Sequence, residues 1–506
     1  MRALKGLLLG ALTIAASIGG TAHAAGTLRY GLEFDPAVLD TAVNGSYTDR
    51  IVFSSMCDQL MDIDAKLNYV PVLATSWEWG PDNLSLTLHL RDGVSFQDGT
   101  PFDATAMRDN IERYRTAPYS LRRTELKPVA SEDVIDRLTL RINLSVPYAP
   151  LLSLLANRDG VPLSPKILNK TSDEIAANPI CTGPFKFNNR VAQDHILLDR
   201  YPGYWNAKNI HLDHILFKTI VDGSVRLVNL QSGALDMVNR LAPTDANAVK
   251  SNAKLRLVTS PSLGYQILVF NVAHGPASNN PFSRDSRVRQ AFEKSIDRAA
   301  LNQVVFEGMY VPSNQMEAPG SRYWNPAYPV QGRDLAGARA LLKQAGITGR
   351  VPVSMTISND PINGQIGQVV QSMAAEAGFD VTLQQQESAA MVAAGQAGDF
   401  QISMGIWSGR PDPDGNASIW MTCAGFLNWG KYCNKSLDTL FAQAAGTPDP
   451  DKRIPFYRQI SDTYLTEMPD MVLFHFTWLW AMSDKVGNFV PMPDGLMRPA
   501  GMTLKH

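Results

Sequence analysis

The segment Trp407-Ser408-Gly409-Arg410-Pro411-Asp412-Pro413-Asp414 gathers side chains suited to holding a small molecule. An aromatic face stands beside small residues and then fixed charges, all in a proline-punctuated loop. Small-molecule sites combine apolar surface with a few placed polar groups in this way. Trp407, Ser408, Arg410 and Asp412 are the candidate contacts. The Arg410 guanidinium cannot accept a hydrogen bond or lose its charge near neutral pH, so it repels an ammonium. It suits a carboxylate or phosphate, which it can grip with two parallel bonds. The alternative is that Arg410 pairs with Asp412 or Asp414 inside its own loop.

Patterns for catalysis are missing. The chain has no G-x-S-x-G nucleophile elbow and no H-E-x-x-H zinc helix. His211 and His214 flank Leu212-Asp213 in an expected strand, where they point to opposite faces and make a poor chelate. Gly425 to Lys431 imitates the start of a phosphate loop, but Tyr432 stands where Ser or Thr is required. The reading is a protein that is not an enzyme and has no cofactor or metal. A secreted hydrolase is the alternative from another class.

The four cysteines bear on compartment. Arg2 and Lys5, the apolar run Gly6 to Ile18, and Ala22-His23-Ala24 have the layout of a secretory signal peptide cleaved near Ala24. The apolar run is shorter than the roughly 20 residues a membrane-spanning helix needs. No cysteine lies near the cleavage point to carry an acyl anchor, since the first is Cys57. A free exported chain in the periplasm is expected. In that oxidising compartment two disulfides are expected, from three possible pairings. Cys423 with Cys433 closes a short loop and leaves Cys57 with Cys181; four reduced thiols are the other reading.

What must position these groups is larger than one core. The remaining chain exceeds what a single hydrophobic core usually serves, so two or more lobes are expected. With 45% hydrophobic residues, 19% charged and a net charge of -2, the composition favours neither nucleic acid nor an acidic membrane surface. Leu84 to Leu90 and Leu138 to Leu144 alternate with the period of half-buried strands. Tyr265 to Asn271 is apolar on both faces and predicts a central strand. Val288, Ala291, Phe292, Ile296 and Ala299 predict one helical stripe capped by Asp285. Asp334 caps a helix that Gly346 ends, and the helix Ile366 to Ala377 stops at Gly378. Phe379, Val381 and Leu383 then alternate as a strand. Helix, glycine, strand is an α/β layout, and the strand-rich first third suggests a different lobe, with a boundary just after Asn271.

These elements carry a series of motifs. Leu73-Ala-Thr-Ser-Trp77 leads into Leu90-Arg91-Asp-Gly-Val-Ser-Phe96 and Asp98-Gly99-Thr100-Pro101-Phe102. Cys181-Thr182-Gly183-Pro184-Phe185, Tyr204-Trp205-Asn206, Pro281-Phe282, Arg287 to Phe292, Ile296-Asp297-Arg298 and Trp407 to Asp414 follow. In that order they resemble the family 5 extracellular solute-binding proteins, the dipeptide-, oligopeptide- and nickel-binding group of ABC importers, over essentially the whole exported chain. Cys181 departs from the family, which has glycine there.

The resemblance implies an α/β two-lobe periplasmic-binding-protein fold of the large form, with an extra inserted subdomain. After a signal peptide over 1–24, a discontinuous first lobe would use 25–66, 188–271 and 483–506. The inserted subdomain would take 67–187 and the second lobe 272–482. Two connecting strands would act as a hinge, and closure over the ligand would be read by the permease subunits of an ABC importer. A membrane sensor that reads the same closed form is the alternative partner. A monomer is expected. The resemblance also places Asn44, Gly45 and Tyr47 in a first-lobe loop facing the ligand, Thr182 near the hinge, and Tyr265 on the cleft.

Two departures bear on the ligand. Relatives that bind peptides have an aspartate for the amino terminus where this chain has Arg410. They hold the ligand carboxylate with an arginine in a stretch matching Met355 to Ile366, which has no basic residue here. The ligand expected is a peptide-like, opine-like or sugar-conjugated solute with an anionic group near Arg410.

Overall fold

Two long antiparallel strands, Leu255–Phe270 and Asp470–Ser483, form the spine of the molecule in a computed structural model that describes residues 26–36 and 38–505. The expected signal peptide lies outside the described residues. Tyr265 to Phe270 is the second half of the first spine strand, fully buried as its apolar character requires. Its first half, Leu255 to Thr259, is only partly buried and more polar, so periodicity did not mark it.

The two strands sit in the middle of an eleven-stranded sheet. Met237–Val238, Thr27–Leu32, His214–Thr219, His195–Arg200 and Phe185–Val191 extend it on one side. Ile402–Trp407, Val351–Ser358 and Phe379–Gln386 extend it on the other, and the short strand Val311–Pro312 pairs with the second spine strand. Each half of the spine serves a different core. Trp478, Trp480 and Met482 pack with Leu28, Tyr30 and Phe217. Leu268, Phe270, Met471 and Leu473 pack with Phe282, Phe292 and Phe379.

Between the halves the pairing breaks. It runs from Leu255 opposite Ser483 to Pro261 opposite Thr477, then resumes only at Tyr265 opposite His475. Pro261 has no N–H to give the ladder, and an irregularity of this kind bends a strand. The bend at residues 261–265 lies between the two halves of the spine.

A third core belongs to a separate four-stranded sheet made of Ala74–Trp79, Ser85–Leu90, Thr139–Leu144 and Val129–Asp136. Leu86, Leu88 and Leu90 face Leu140, Ile142 and Leu144 across it, as the alternation predicts, with Met107 and Ile111 of the helix Ala104–Thr116 above them. Val161, Leu163, Cys181 and Phe185 join the first core instead. Cys57 is bonded to Cys181, and Cys423 to Cys433.

The helix expected to run from Val288 past Ile296 is in fact two helices, Ser286–Ser295 and Arg298–Phe306. Asp297 explains the break: its carboxylate caps the second helix by accepting from the Ala300 N–H at 2.9 Å, a role incompatible with helix interior. The other stops hold. Asp334 caps Leu335–Gln344, and Gly378 takes the left-handed conformation after Pro361–Ala377. His211 precedes its expected strand, which starts at His214. Among the described residues no helix is long and apolar enough to cross a membrane, and no three His, Cys, Asp or Glu side chains are grouped to hold a metal ion.

Candidate functional site

The Trp407–Asp414 segment leaves the strand Ile402–Trp407 directly over the bend in the spine. Gly409 makes that approach possible. It has φ +81, and a Cβ there would lie 2.4 Å from the Leu263 carbonyl carbon, so any side chain would push the loop off the strand. Asn416, unmarked in the sequence, staples the loop. Its Oδ1 accepts from the Arg410 N–H at 2.7 Å and from Trp407 Nε1 at 3.1 Å, while its Nδ2 donates to the Arg410 carbonyl at 3.0 Å.

This fixes the backbone of Arg410 and leaves its guanidinium to the interlobe space. The group lies over the Trp407 ring, 4.6 Å from its centre, and donates to the Gly409 carbonyl at 2.9 Å. Burial, then the positive charge of Arg50, pushes its pKa down to about 10. It remains a cation at neutral pH and has no carboxylate within ion-pair distance among the described residues. The internal pairing with Asp412 or Asp414 does not form. Asp412 is instead gripped by Arg453, with Nη1 at 2.5 Å and Nη2 at 2.8 Å. Asp414 is pushed up to about 7 by burial and then by Asp412. Arg453, on the helix Pro450–Glu467, could not be matched to Asp412 by spacing, since 41 residues separate them.

Arg410 borders a cavity of about 720 Å³. Its other walls come from Trp77 of the four-stranded sheet and Tyr69 before it, from Leu263 at the bend, and from Glu317 and Tyr323. A volume of this size and a wall of mixed aromatic and polar groups suit a small solute.

Asn44 lies in the turn before the helix Tyr47–Met56, wholly buried, with no protein partner for either end of its amide. Gly45 beside it is exposed. Tyr47 stacks on Trp478 at 4.9 Å and donates its hydroxyl to the Gly495 carbonyl at 2.5 Å. Thr182 is buried, and its hydroxyl also lacks a partner. Ser408 lies within reach of the Arg410 guanidinium, at 3.4 Å. Of the expected contacts Arg410 and Asp412 line the cavity, whereas Trp407, Ser408, Asn44, Gly45, Tyr47, Thr182 and Tyr265 do not. Tyr265 is wholly buried in a core with Ile267, Met316 and Trp420, with its hydroxyl donated to the Asn416 carbonyl at 2.5 Å.

Glu317 gives the cavity wall a pH dependence. Burial, then the charge of Asp412, pushes its carboxyl up to about 8 from an ordinary value of 4.5. The folded state therefore keeps a proton that the unfolded chain releases, and this contribution to stability is full below pH 4.5 and is lost as pH rises through 8. Glu317→Gln should leave the melting temperature of the empty protein little changed at pH 4. It should raise it relative to the native chain at pH 8 and above. Melts across that range check this, and a constant difference would refute it.

Comparisons with known proteins give the family and the fold. The family described as bacterial extracellular solute-binding proteins, family 5 Middle, matches residues 68–428. The glutathione-binding protein GsiB of Salmonella paratyphi A is 28% identical over 501 residues, covering 96% of each chain. GsiB of Pectobacterium atrosepticum is 29% identical over 460 residues, covering 88% of each. Among solved structures, AgaA of A. tumefaciens R10 in complex with agropinic acid superposes with a TM-score of 0.81 at 24% identity, over 95% of this chain and 99% of that one. The ABC transporter substrate binding protein CtaP of Listeria monocytogenes superposes with a TM-score of 0.85 at 20% identity, over 95% and 100%. At such identities the superpositions speak to the fold.

Proposed function

The chain belongs to the bacterial extracellular solute-binding proteins, family 5, and from that premise we propose that it is the periplasmic substrate-binding component of an ABC importer for an anionic, peptide-like or opine-like solute. The solute occupies the cavity between the lobes. The lobes close about the bend at residues 261–265, and the closed form delivers the solute to membrane permease subunits. Ligand contacts must then favour the closed state by a few kcal/mol over the open one.

The observation that carries the reading is Arg410. A cation at neutral pH with no carboxylate of its own among the described residues, held by Asn416 at the rim of the cavity, is built to receive an anionic group. Trp407 offers the flat apolar face beside it, and Ser408, Asn44, Tyr47 and Thr182 are the further contacts proposed. Asp412 contributes by holding Arg453 at the cavity wall. The relatives give a frame for the solute: one similar protein is named for glutathione and one solved structure holds agropinic acid.

A thermal-shift screen of the exported chain against free dipeptides, N-acylated dipeptides, glutathione, opines and sugar phosphates tests this, because a ligand of the native state raises the melting temperature by mass action. Stabilisation by members with an anionic end and no ammonium beside it is expected. Strong stabilisation by free-amine dipeptides that survives in Arg410→Ala would overturn the reading.

A further inference from the structure

Arg410 is one of four guanidinium groups, from separate parts of the chain, that lie close enough to repel one another. Arg50 projects from the helix Tyr47–Met56, Arg122 from the turn Leu121–Arg123 and Arg158 from the turn Arg158–Gly160. Arg50, Arg122 and Arg158 are 8%, 6% and 6% exposed, so their charges are buried. Two of them meet the same turn: Arg158 Nη2 donates to the Ser46 carbonyl at 2.8 Å and Arg122 Nη2 to the Asn44 carbonyl at 3.5 Å. The buried Nε atoms of Arg50, Arg122 and Arg158 have no partner, nor does either end of the Asn44 amide.

The local charges do not balance. Arg122 is matched by Glu125 at 2.7 Å. Asp494 and Asp62 match Arg498, at 2.6 and 2.7 Å, and Arg50, which lies 3.9 Å from Asp494. Arg158 and Arg410 are left without a carboxylate. Asp159 makes no ion pair with either among the described residues, and burial and then Glu125 push its carboxyl up. Burial, then repulsion from Arg50 and Arg410, lowers Arg158 as well. An unmatched buried cation at Arg158 and an unmatched, partly buried one at Arg410 are destabilising in the empty protein, and a carboxylate lying along an Nε–Nη edge relieves each of them.

We propose that Arg158, with Arg50, Arg122 and Asn44, forms a second anion subsite, and that the solute is a dicarboxylate with one carboxylate here and the other on Arg410. This rests on the reading of the protein as a solute-binding component. Arg50, Arg122 and Arg158 thereby join Arg410 through the ligand, so a dicarboxylate neutralises charges that otherwise repel one another.

A series differing only at one end tests the idea: N-succinyl-Ala-Ala carries two carboxylates, N-acetyl-Ala-Ala one, and Ala-Ala one with an ammonium. Calorimetric titration of the exported chain should rank them in that order, with the succinyl compound at least about tenfold tighter than the acetyl one. Arg158→Gln should erase that tenfold preference and move acetyl binding by less than about threefold. Its empty form should melt no lower than the native chain, since it loses an unmatched cation. Arg158→Lys, which keeps charge without the fork, should fall between. Equal affinity for the succinyl and acetyl compounds, or equal weakening of both in Arg158→Gln, would overturn the dicarboxylate assignment.

Melts in malonate against acetate at equal ionic strength separate the subsite from the solute class. If malonate stabilises the native chain but not Arg158→Gln while no peptide binds, the anion subsite stands and the peptide-like reading fails. If malonate raises both alike, the subsite is overturned.

Discussion

Arg410→Ala should weaken binding of an anionic solute by a factor of at least about 30, because removing one partner of a buried charge pair costs about 2–5 kcal/mol. The loss should appear in binding alone. Arg410 makes no ion pair with the protein, and its backbone is held by Asn416 whatever the side chain, so the empty variant should fold and melt close to the native chain. Arg410→Lys keeps the charge but loses the planar fork and its stacking on Trp407, so it should recover only part of the affinity. Calorimetric titration with N-acetyl-Ala-Ala and N-succinyl-Ala-Ala gives both comparisons. An alanine variant that binds them as tightly as the native chain would remove Arg410 from the site.

The second large effect concerns stability. Cys57 and Cys181 stand 124 positions apart, and the segment between them carries the whole four-stranded sheet. On the chain-entropy account, opening a loop of that size costs about 5 kcal/mol, against about 2–3 for the 10-position separation of Cys423 and Cys433. Cys57→Ser with Cys181→Ser should therefore lower stability to urea markedly more than the matching change at Cys423 and Cys433. Position adds to the loop term. Cys57 is the C-cap of the helix that carries Arg50, and a Cβ on Gly183, two residues past Cys181, would lie 2.5 Å from the Met56 carbonyl oxygen, so the two segments are in backbone contact. Losing the long bridge should thus weaken solute binding as well, through the Asn44–Tyr47 turn. Equal costs for the two bridges would contradict this account.

The sequence made the fold legible wherever one residue pattern reports one environment. Leu86, Leu88 and Leu90 alternate because one face of their sheet meets a core, and Gly378 ends its helix because it takes the left-handed conformation. Legibility ended where a residue answers to something distant. Asp297 carries the same apolar stripe around it that a continuous helix would, and only its cap reveals the break. The half-exposed strand Leu255 to Thr259 draws its partner from residues beyond 476, which no local period can show.

The site divides along the same line. Arg410 stood out because it occupies one recognisable loop. Arg50, Arg122 and Arg158 lie in three unrelated segments, and each alone reads as an ordinary surface arginine. Arg122 and Arg158 come together only at the turn Asn44–Ser46, and Arg50 acts on Arg158 by charge alone. Asp412 gave a similar signal to Arg410, yet its charge is spent on Arg453.

The central claim is capture of an anionic solute between two lobes that close on it, and small-angle scattering of the exported chain during titration with N-succinyl-Ala-Ala measures it most directly. The account predicts that the radius of gyration falls in step with one-to-one binding, and that Arg410→Ala shows no change at the same concentrations. Saturation of the native chain with an unchanged scattering profile would contradict it.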